Sequence, residues 1–413
     1  MNTSPVTGDA SGLKVPALFL LFVGALAAMG PLTMDLYLPA LPTIADYFSV
    51  DVASVSATVS TYLLGYAIGQ FFGGPISDQV GRKTIGVTGL LLYLAATLGI
   101  VFAGTVEQTL VWRFLQALGG GSATVLAMAL VRDIYSPIEA GKRFALVMMV
   151  VMIAPLAGPA AGTYLLHFGW HAIFWLFAVY ALALCLSLLL FVPETHPNPK
   201  RSISLSRVFR QYGAVIRYRI NGRRIAIRFP IAMAFSGGVM MIFVTQSAAI
   251  YLEHFQTGET LFPLLFGANI VVLASGNLAS ARLLGRINPQ TLFRSGILLQ
   301  LLAIGSLFLV VLLGLDRLYV VVPLIMLGVG SIGLTNPSGM TIFMSYFPRG
   351  GGSASAVFTT LMFSLGGVLG SLPNLFPGHG LLPTVSVMLG STLVANLIGQ
   401  AIPPVQVAGA VAG

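Results

Sequence analysis

From Thr84 to Val106 the chain carries no charged side chain, and from Ala172 to Val192 it again carries none. A helix of about 20 apolar residues is what crosses the hydrocarbon of a bilayer. In that medium every backbone N–H and C=O must be satisfied within the segment, so helices are the form such runs can take. A sliding window of that length places twelve runs, near 15–38, 52–75, 84–105, 108–131, 143–166, 171–192, 229–252, 261–284, 292–315, 318–346, 353–376 and 381–402. Pro373, Pro377 and Pro383 interrupt the last two, which are expected to be short or kinked. Composition agrees. Hydrophobic types make up 56% of the chain and charged types 8%, against about 25% charged in a soluble domain, so a water-facing surface could not be covered.

The positions of the cations test this count. With the N-terminus in the cytoplasm and sides alternating, all of the 21 Lys and Arg except Arg113 and Arg317 fall on the cytoplasmic side. Missing or inventing one span would destroy that asymmetry, which is what the positive-inside rule predicts. The fold class expected is therefore an all-α membrane protein with 12 transmembrane helices and both termini cytoplasmic. The same distribution excludes nucleic acid as a partner, because the net charge of +9 is spread over many loops. A cytoplasmic tail (1–14), a first six-helix bundle (15–192), a basic cytoplasmic linker (193–228), a second six-helix bundle (229–402) and a short cytoplasmic tail (403–413) follow from these positions. The first run is read as a retained helix rather than a cleaved leader, since it continues to Asp35. A basic, partly amphipathic linker suits a segment lying on anionic headgroups, and a solvated linker fits it equally well. Matching Gly-Arg pairs, Gly81-Arg82 and Gly285-Arg286, hint at a repeat of one half in the other. Short loops and the lack of a GxxxxGK[ST] sequence leave ATP without a binding domain. Cys185 is the sole cysteine, so an intrachain disulfide is impossible.

Two charges fall deep within the expected spans, Asp35 and Arg113. Each costs about 2.5–3.5 kcal/mol at a bilayer centre and must face a cavity, a partner or both. One reading is a static ion pair between the first and fourth spans. The other is functional: Asp35 exchanges a proton as access alternates, and Arg113 modulates it. Around them lie further candidates. GGPISDQVGRK supplies Gly74, Asp78, Gly81, Arg82 and Lys83 in a charged turn after the second span. WRFLQALGGG sets Gln116 one turn from Arg113 and follows it with Gly119, Gly120 and Gly121, which suit a close neighbour. APLAGPAAG places Pro155 and Pro159, with Gly158 and Gly162, inside the fifth span, where the prolines are expected to kink it. Tyr37, Tyr62, Gln116, Met240, Phe243, Gln246, Asn269 and Asn336 are candidates to line an apolar pocket with a few polar groups. Asn277 and Asn374 are further uncharged polar residues of the second half, which has no acid matching Asp35. The histidines (His167, His171, His196, His254 and His379) lie at helix ends or in loops, without the spacing of a metal or haem site. No metal or cofactor is expected, and no enzyme constellation is present.

These residues resemble a known family. GPISDQVGRK is similar to the signature loop of the major facilitator superfamily, G-x-L-x-D-R-x-G-R-K, with Gln79 in place of the first Arg. RFLQALGG resembles the fourth-helix motif of the drug:proton antiporters, with Ala117 where a Gly is usual. GPAAG resembles the fifth-helix antiporter motif, with Thr163 where its second terminal Gly would be. MDLYLPALPTIA, LVRDIYSP and GWHAIFW narrow the similarity to the Bcr/CflA subfamily of bicyclomycin and chloramphenicol exporters. The resemblance implies the major facilitator fold, two pseudo-symmetric six-helix bundles, and proton-driven efflux of amphipathic drugs across the bacterial inner membrane by a monomer. The proton gradient would be its energy source. It implies coupling roles for Asp35 and Arg113, and a gate in which Asp133 pairs with Arg82. Some relatives carry a further acid in the first helix, whereas Val23 to Met34 has none here. Proton-coupled transport of a metabolite such as an amino acid or nucleoside is the alternative.

Overall fold

A computed structural model describes residues 17–404, apart from 136, 196–202, 220–223, 285, 348–350 and 377–379. The tail 1–14, most of the tail 403–413, Gly285 of the second Gly-Arg pair, His196, His379 and Pro377 lie outside the described residues.

The first half contains α1 (Ala17–Asp35), α2 (Leu41–Phe48), α3 (Val52–Val80), α4 (Arg82–Val101), α5 (Val106–Ile134), α6 (Pro137–Leu166) and α7 (His171–Phe191). A short helix, α8 (Leu205–Ile216), follows. The second half contains α9 (Arg228–Ala248), α10 (Gly258–Leu283), α11 (Pro289–Leu312), α12 (Leu318–Gly330), α13 (Ile332–Ser345), α14 (Gly351–Ser371) and α15 (Leu382–Gln400). Among the described residues twelve helical stretches are long and apolar enough to cross a membrane. Two of them join two α-helices each: α1 and α2 run together over Phe19–Phe48, and α12 with α13 over Leu318–Ser345.

Local signals set many of the boundaries. Asp51 accepts the Ser54 N–H at 2.7 Å and starts α3, and Thr105 accepts the Gln108 N–H at 3.3 Å and starts α5. Gly81, at φ +106°, separates α3 from α4 with a backbone angle that an L side chain rarely adopts. The two prolines after Asp35 do not end the helical run. Pro39 stands in the first turn of a 3₁₀ helix (Leu38–Ala40) and Pro42 in the first turn of α2, so the run bends and restarts instead of stopping. Proline lacks an N–H that a first turn would leave unpaired anyway, and its fixed φ suits that position. Pro155 and Pro159 are accommodated within the uninterrupted α6. The run at 353–376 corresponds to the span Ala354–Leu375, in which α14 ends at Ser371 and Pro373 belongs to a 3₁₀ turn (Leu372–Leu375).

The helices form two six-helix bundles joined through α8. In the first, α3 packs on α5, α4 on α5 and α7, and α1 on α6. In the second, α9 packs on α14 and α15, and α11 on α13 and α15. The bundles meet where α3 runs along α14 and α6 along α10. Small residues permit these approaches: a Cβ on Gly73 would stand 2.7 Å from Ser122 Cα, and one on Gly367 would stand 2.9 Å from Ser60 O. Gly119, Gly120 and Gly121 likewise let α5 approach α4 and α3, so these glycines serve packing.

Candidate functional site

Asp35 is the last residue of α1 and is 5% exposed. Its carboxylate makes no ion pair or hydrogen bond with any described residue. Helix α6 lies close against it. A Cβ on Gly158 of α6 would stand 2.8 Å from Asp35 Cβ and 3.4 Å from Leu36 N. One turn on, Gly162 faces the Leu36 carbonyl. The GPAAG segment is thus the surface against which the buried acid is laid.

Arg113 lies on α5 and is fully buried. The static ion pair with Asp35 is not formed: Arg113 meets aromatic rings instead. Its guanidinium carbon lies 3.9 Å from the ring centre of Tyr37, 4.9 Å from that of Tyr62 and 5.7 Å from that of Phe174. A desolvated cation over aromatic faces gains about 2 kcal/mol or more per good contact. Nη1 donates to Gln116 Oε1 at 2.9 Å, and Gln116 Nε2 donates to Thr97 Oγ1 at 2.8 Å. Nε and Nη2 have no hydrogen-bond partner among the described residues. The Tyr37 hydroxyl pairs with Thr58 Oγ1 at 2.9 Å, and Tyr93 pairs with Thr33 at 2.7 Å. Tyr37, Tyr62, Gln116 and Arg113 therefore come together.

The remaining pocket candidates do not join that group through any hydrogen bond or ring contact. Phe243 packs its ring 5.5 Å from Phe266 and 6.0 Å from Tyr251, and Asn269 Nδ2 donates to the Tyr251 hydroxyl at 3.5 Å. Gln246 Nε2 donates to Gly370 O and to Asn374 Oδ1, while Asn374 Nδ2 reaches Ala53 O across the two bundles at 3.2 Å. Met240 is half-buried, and Asn336 Oδ1 is buried without a hydrogen bond. Gln246 and Asn374 also border a crevice of about 340 Å³ between the bundles, with Asp51, Glu253 and His254. Among the described residues no cluster of His, Cys, Asp and Glu could hold a metal ion.

The charged turn forms a second constellation at the Arg-rich end. Arg82 is buried, with Nη1 2.5 Å from Asp78 and 2.6 Å from Ser77 Oγ, and Nε 3.0 Å from Asp133 Oδ2. Lys83 Nζ donates to Leu189 O at 2.7 Å. A Cβ on Gly74 of α3 would stand 3.5 Å from Val125 Cγ2, and its carbonyl accepts from Ser77 Oγ at 2.6 Å. Two members went unnoticed in the sequence. Glu194 accepts the Arg82 and Lys83 N–H groups at 2.9 and 3.0 Å, a carboxylate on the N-terminus of α4. Thr195 donates to Asp133 at 3.1 Å. Around Arg113 the unnoticed members are Thr33, Thr58, Tyr93, Thr97 and Phe174. Tyr93 and Thr97 had one available signal, polar groups four residues apart inside a charge-free run.

A sequence profile, the Major Facilitator Superfamily, matches residues 19–371. The chain belongs to the major facilitator superfamily. It is 27% identical over 361 residues to a bicyclomycin resistance protein homolog of Haemophilus influenzae, covering 87% of this chain and 89% of the relative. It is 29% identical over 384 residues to the multidrug transporter MdfA of Edwardsiella ictaluri, covering 88% and 89%. The crystal structure of a D-xylose-proton symporter superposes with a TM-score of 0.70 at 15% identity over 94% of this chain and 98% of that one, which speaks to the fold alone. This major facilitator protein is thus a multi-pass membrane transporter and not an enzyme, and the names of its relatives agree with the Bcr/CflA resemblance.

Proposed function

We propose that this transporter exports amphipathic drugs, of the chloramphenicol or bicyclomycin kind, in exchange for protons across the bacterial inner membrane, with both termini cytoplasmic. One observation carries the coupling. Asp35 is a buried carboxylate without a counter-ion among the described residues, laid against Gly158 of α6, while the buried cation Arg113 is engaged by Tyr37 and Gln116. The proton affinity of such a carboxylate depends on whether water reaches it, so alternating access changes its occupancy. Export is favoured over import by the GPAAG segment at that contact and by the names of the relatives.

The cycle then runs between two states in which the bundles rock about a shared cavity. Facing outward, Asp35 takes a proton and the drug leaves. Facing inward, the proton departs and another drug molecule binds. Arg113 keeps its charge throughout, held by the Tyr37 and Tyr62 rings, and offers Nε–H and Nη2–H to an acceptor. Exchange of a neutral drug for one proton moves charge, and the membrane potential contributes about 2.3 kcal/mol per charge per 100 mV.

Proteoliposomes with an imposed pH gradient test this with chloramphenicol-like, bicyclomycin-like and metabolite substrates. The drugs should move uphill and Asp35→Asn should abolish that movement while the protein stays folded. Uphill drug transport by Asp35→Asn would remove Asp35 from the mechanism, and gradient-driven movement of the metabolites alone would replace the substrate class.

A further inference from the structure

α8 presents three edges in sequence around its axis. Val208, Tyr212 and Val215 form the first edge and are buried. They pack in one cluster with Ile342, Phe343 and Phe358 of the second bundle and with Phe71 and Phe72 of α3. The Tyr212 ring stacks 4.3 Å from Phe71, and its hydroxyl donates to Phe71 O at 2.8 Å. Ahead of the helix, Ser204 N donates to Oε1 of Gln79 at 2.8 Å, the residue standing where the family motif has Arg.

Leu205, Phe209 and Ile216 form the second edge. Spacings of three and four residues place them on the same apolar stripe as the buried edge, yet they are 51%, 56% and 43% exposed. Beyond them come Ser206, Arg210 and Arg217, all exposed. Arg219, Arg224 and Arg228 continue the exposed basic surface, and the sequence holds no Asp or Glu from Thr195 to Leu252. A linker bathed in water has no use for an open apolar edge between its packed face and its arginines. A helix lying at a membrane boundary needs that order, with the apolar edge in the acyl region and the arginines reaching up to phosphate.

We infer that α8 is a docking helix for acidic phospholipid headgroups in the leaflet on the Arg-rich side, with Leu205, Phe209 and Ile216 inserted and Arg210 and Arg217 on the phosphates. Position supports this occupant. α8 is clamped beside Phe71 of α3, a helix long and apolar enough to span the membrane, which holds its open edge next to a bilayer-crossing element. Charge supports it too: the exposed arginines complement an anionic surface, each strengthening attachment about fivefold.

Spin labels on the full chain provide the test. Cys185→Ala clears the background, and a nitroxide is then placed through Phe209→Cys, Ile216→Cys or Ser206→Cys. Phosphatidylcholine vesicles with and without phosphatidylglycerol receive each protein. Labels at 209 and 216 should be relaxed by dissolved oxygen and shielded from an aqueous nickel complex, and the label at 206 the reverse. Phosphatidylglycerol should deepen the 209 label, and Arg210→Gln with Arg217→Gln should cancel that response. Nickel access at 209 and 216 equal to that at 206 would overturn the proposal. So would a depth indifferent to phosphatidylglycerol, or spin–spin broadening that reveals a second copy on this edge. Retention of phosphatidylglycerol through detergent purification, read by native mass spectrometry, needs no label. It should fall in the double Arg variant, and unchanged retention counts against the site.

Discussion

Adding one methyl group at Gly158 tests the contact between α6 and the buried acid. The new Cβ in Gly158→Ala would stand 2.8 Å from Asp35 Cβ, closer than real Cβ contacts come. Neither atom can rotate away, because each is fixed by its own backbone. Asp35 C and Leu36 N, both at 3.4 Å, close the remaining directions, so α1 and α6 must part by several tenths of an ångström. Overpacking of this kind costs about 1–3 kcal/mol. Replacing a helical Gly by Ala returns at most ~1 kcal/mol in helix propensity, so the net effect is destabilising. Gly390→Ala is the control, since nothing lies within 4 Å of its added Cβ. Unfolding titrations in detergent should show the loss for Gly158→Ala and none for Gly390→Ala. Proton-driven export should fall with it, because the displaced residue is the proposed proton carrier. Wild-type stability and export in Gly158→Ala would refute the reasoning, since the contact would then have no consequence.

Arg113→Lys should lower both export and stability. The charge survives, but the flat guanidinium over Tyr37 and its bond to Gln116 are lost, on the order of 1–2 kcal/mol. Normal drug resistance in that variant would reduce Arg113 to packing. Asp51 gives a pH-dependent case outside the spans. Hydrogen bonds from the Ser54 side chain and backbone hold its carboxyl below the usual 3.8. A lowered folded value means stability that is present above the unfolded pKa and is lost as pH falls through the folded one. Asp51→Ala should therefore cost about 1 kcal/mol near neutral pH, the usual worth of an N-cap, and converge on wild type well below pH 3.8 in acid-unfolding curves.

Much of the architecture was legible because hydropathy is a local property. Runs of about 20 apolar residues declare themselves without knowledge of their neighbours. The boundaries were less so. Proline breaks a helix interior but suits a first turn, and Pro39 and Pro42 each occupy a first turn, a distinction that depends on the path of the preceding residues. The site divides in the same way. Asp35 and Arg113 stood out because a charge in oil demands a reason. Thr33, Tyr93 and Thr97 did not, because a lone hydroxyl in a membrane helix can bond its own backbone, as Thr97 does to Tyr93 O at 2.7 Å.

By itself the sequence determined twelve crossings, the segregation of the cations among the loops, and the depth of one acid and one base. Those follow from solvation, which each segment settles alone. Only the tertiary structure decided that the acid and the base stand apart. Gly158 admits α6 to Asp35, and Tyr37, two residues further along, turns its ring onto Arg113. That choice between an ion pair and an aromatic contact is made by the packing of α1, α5 and α6, whose residues are distant in the chain and meet only once the helices are assembled.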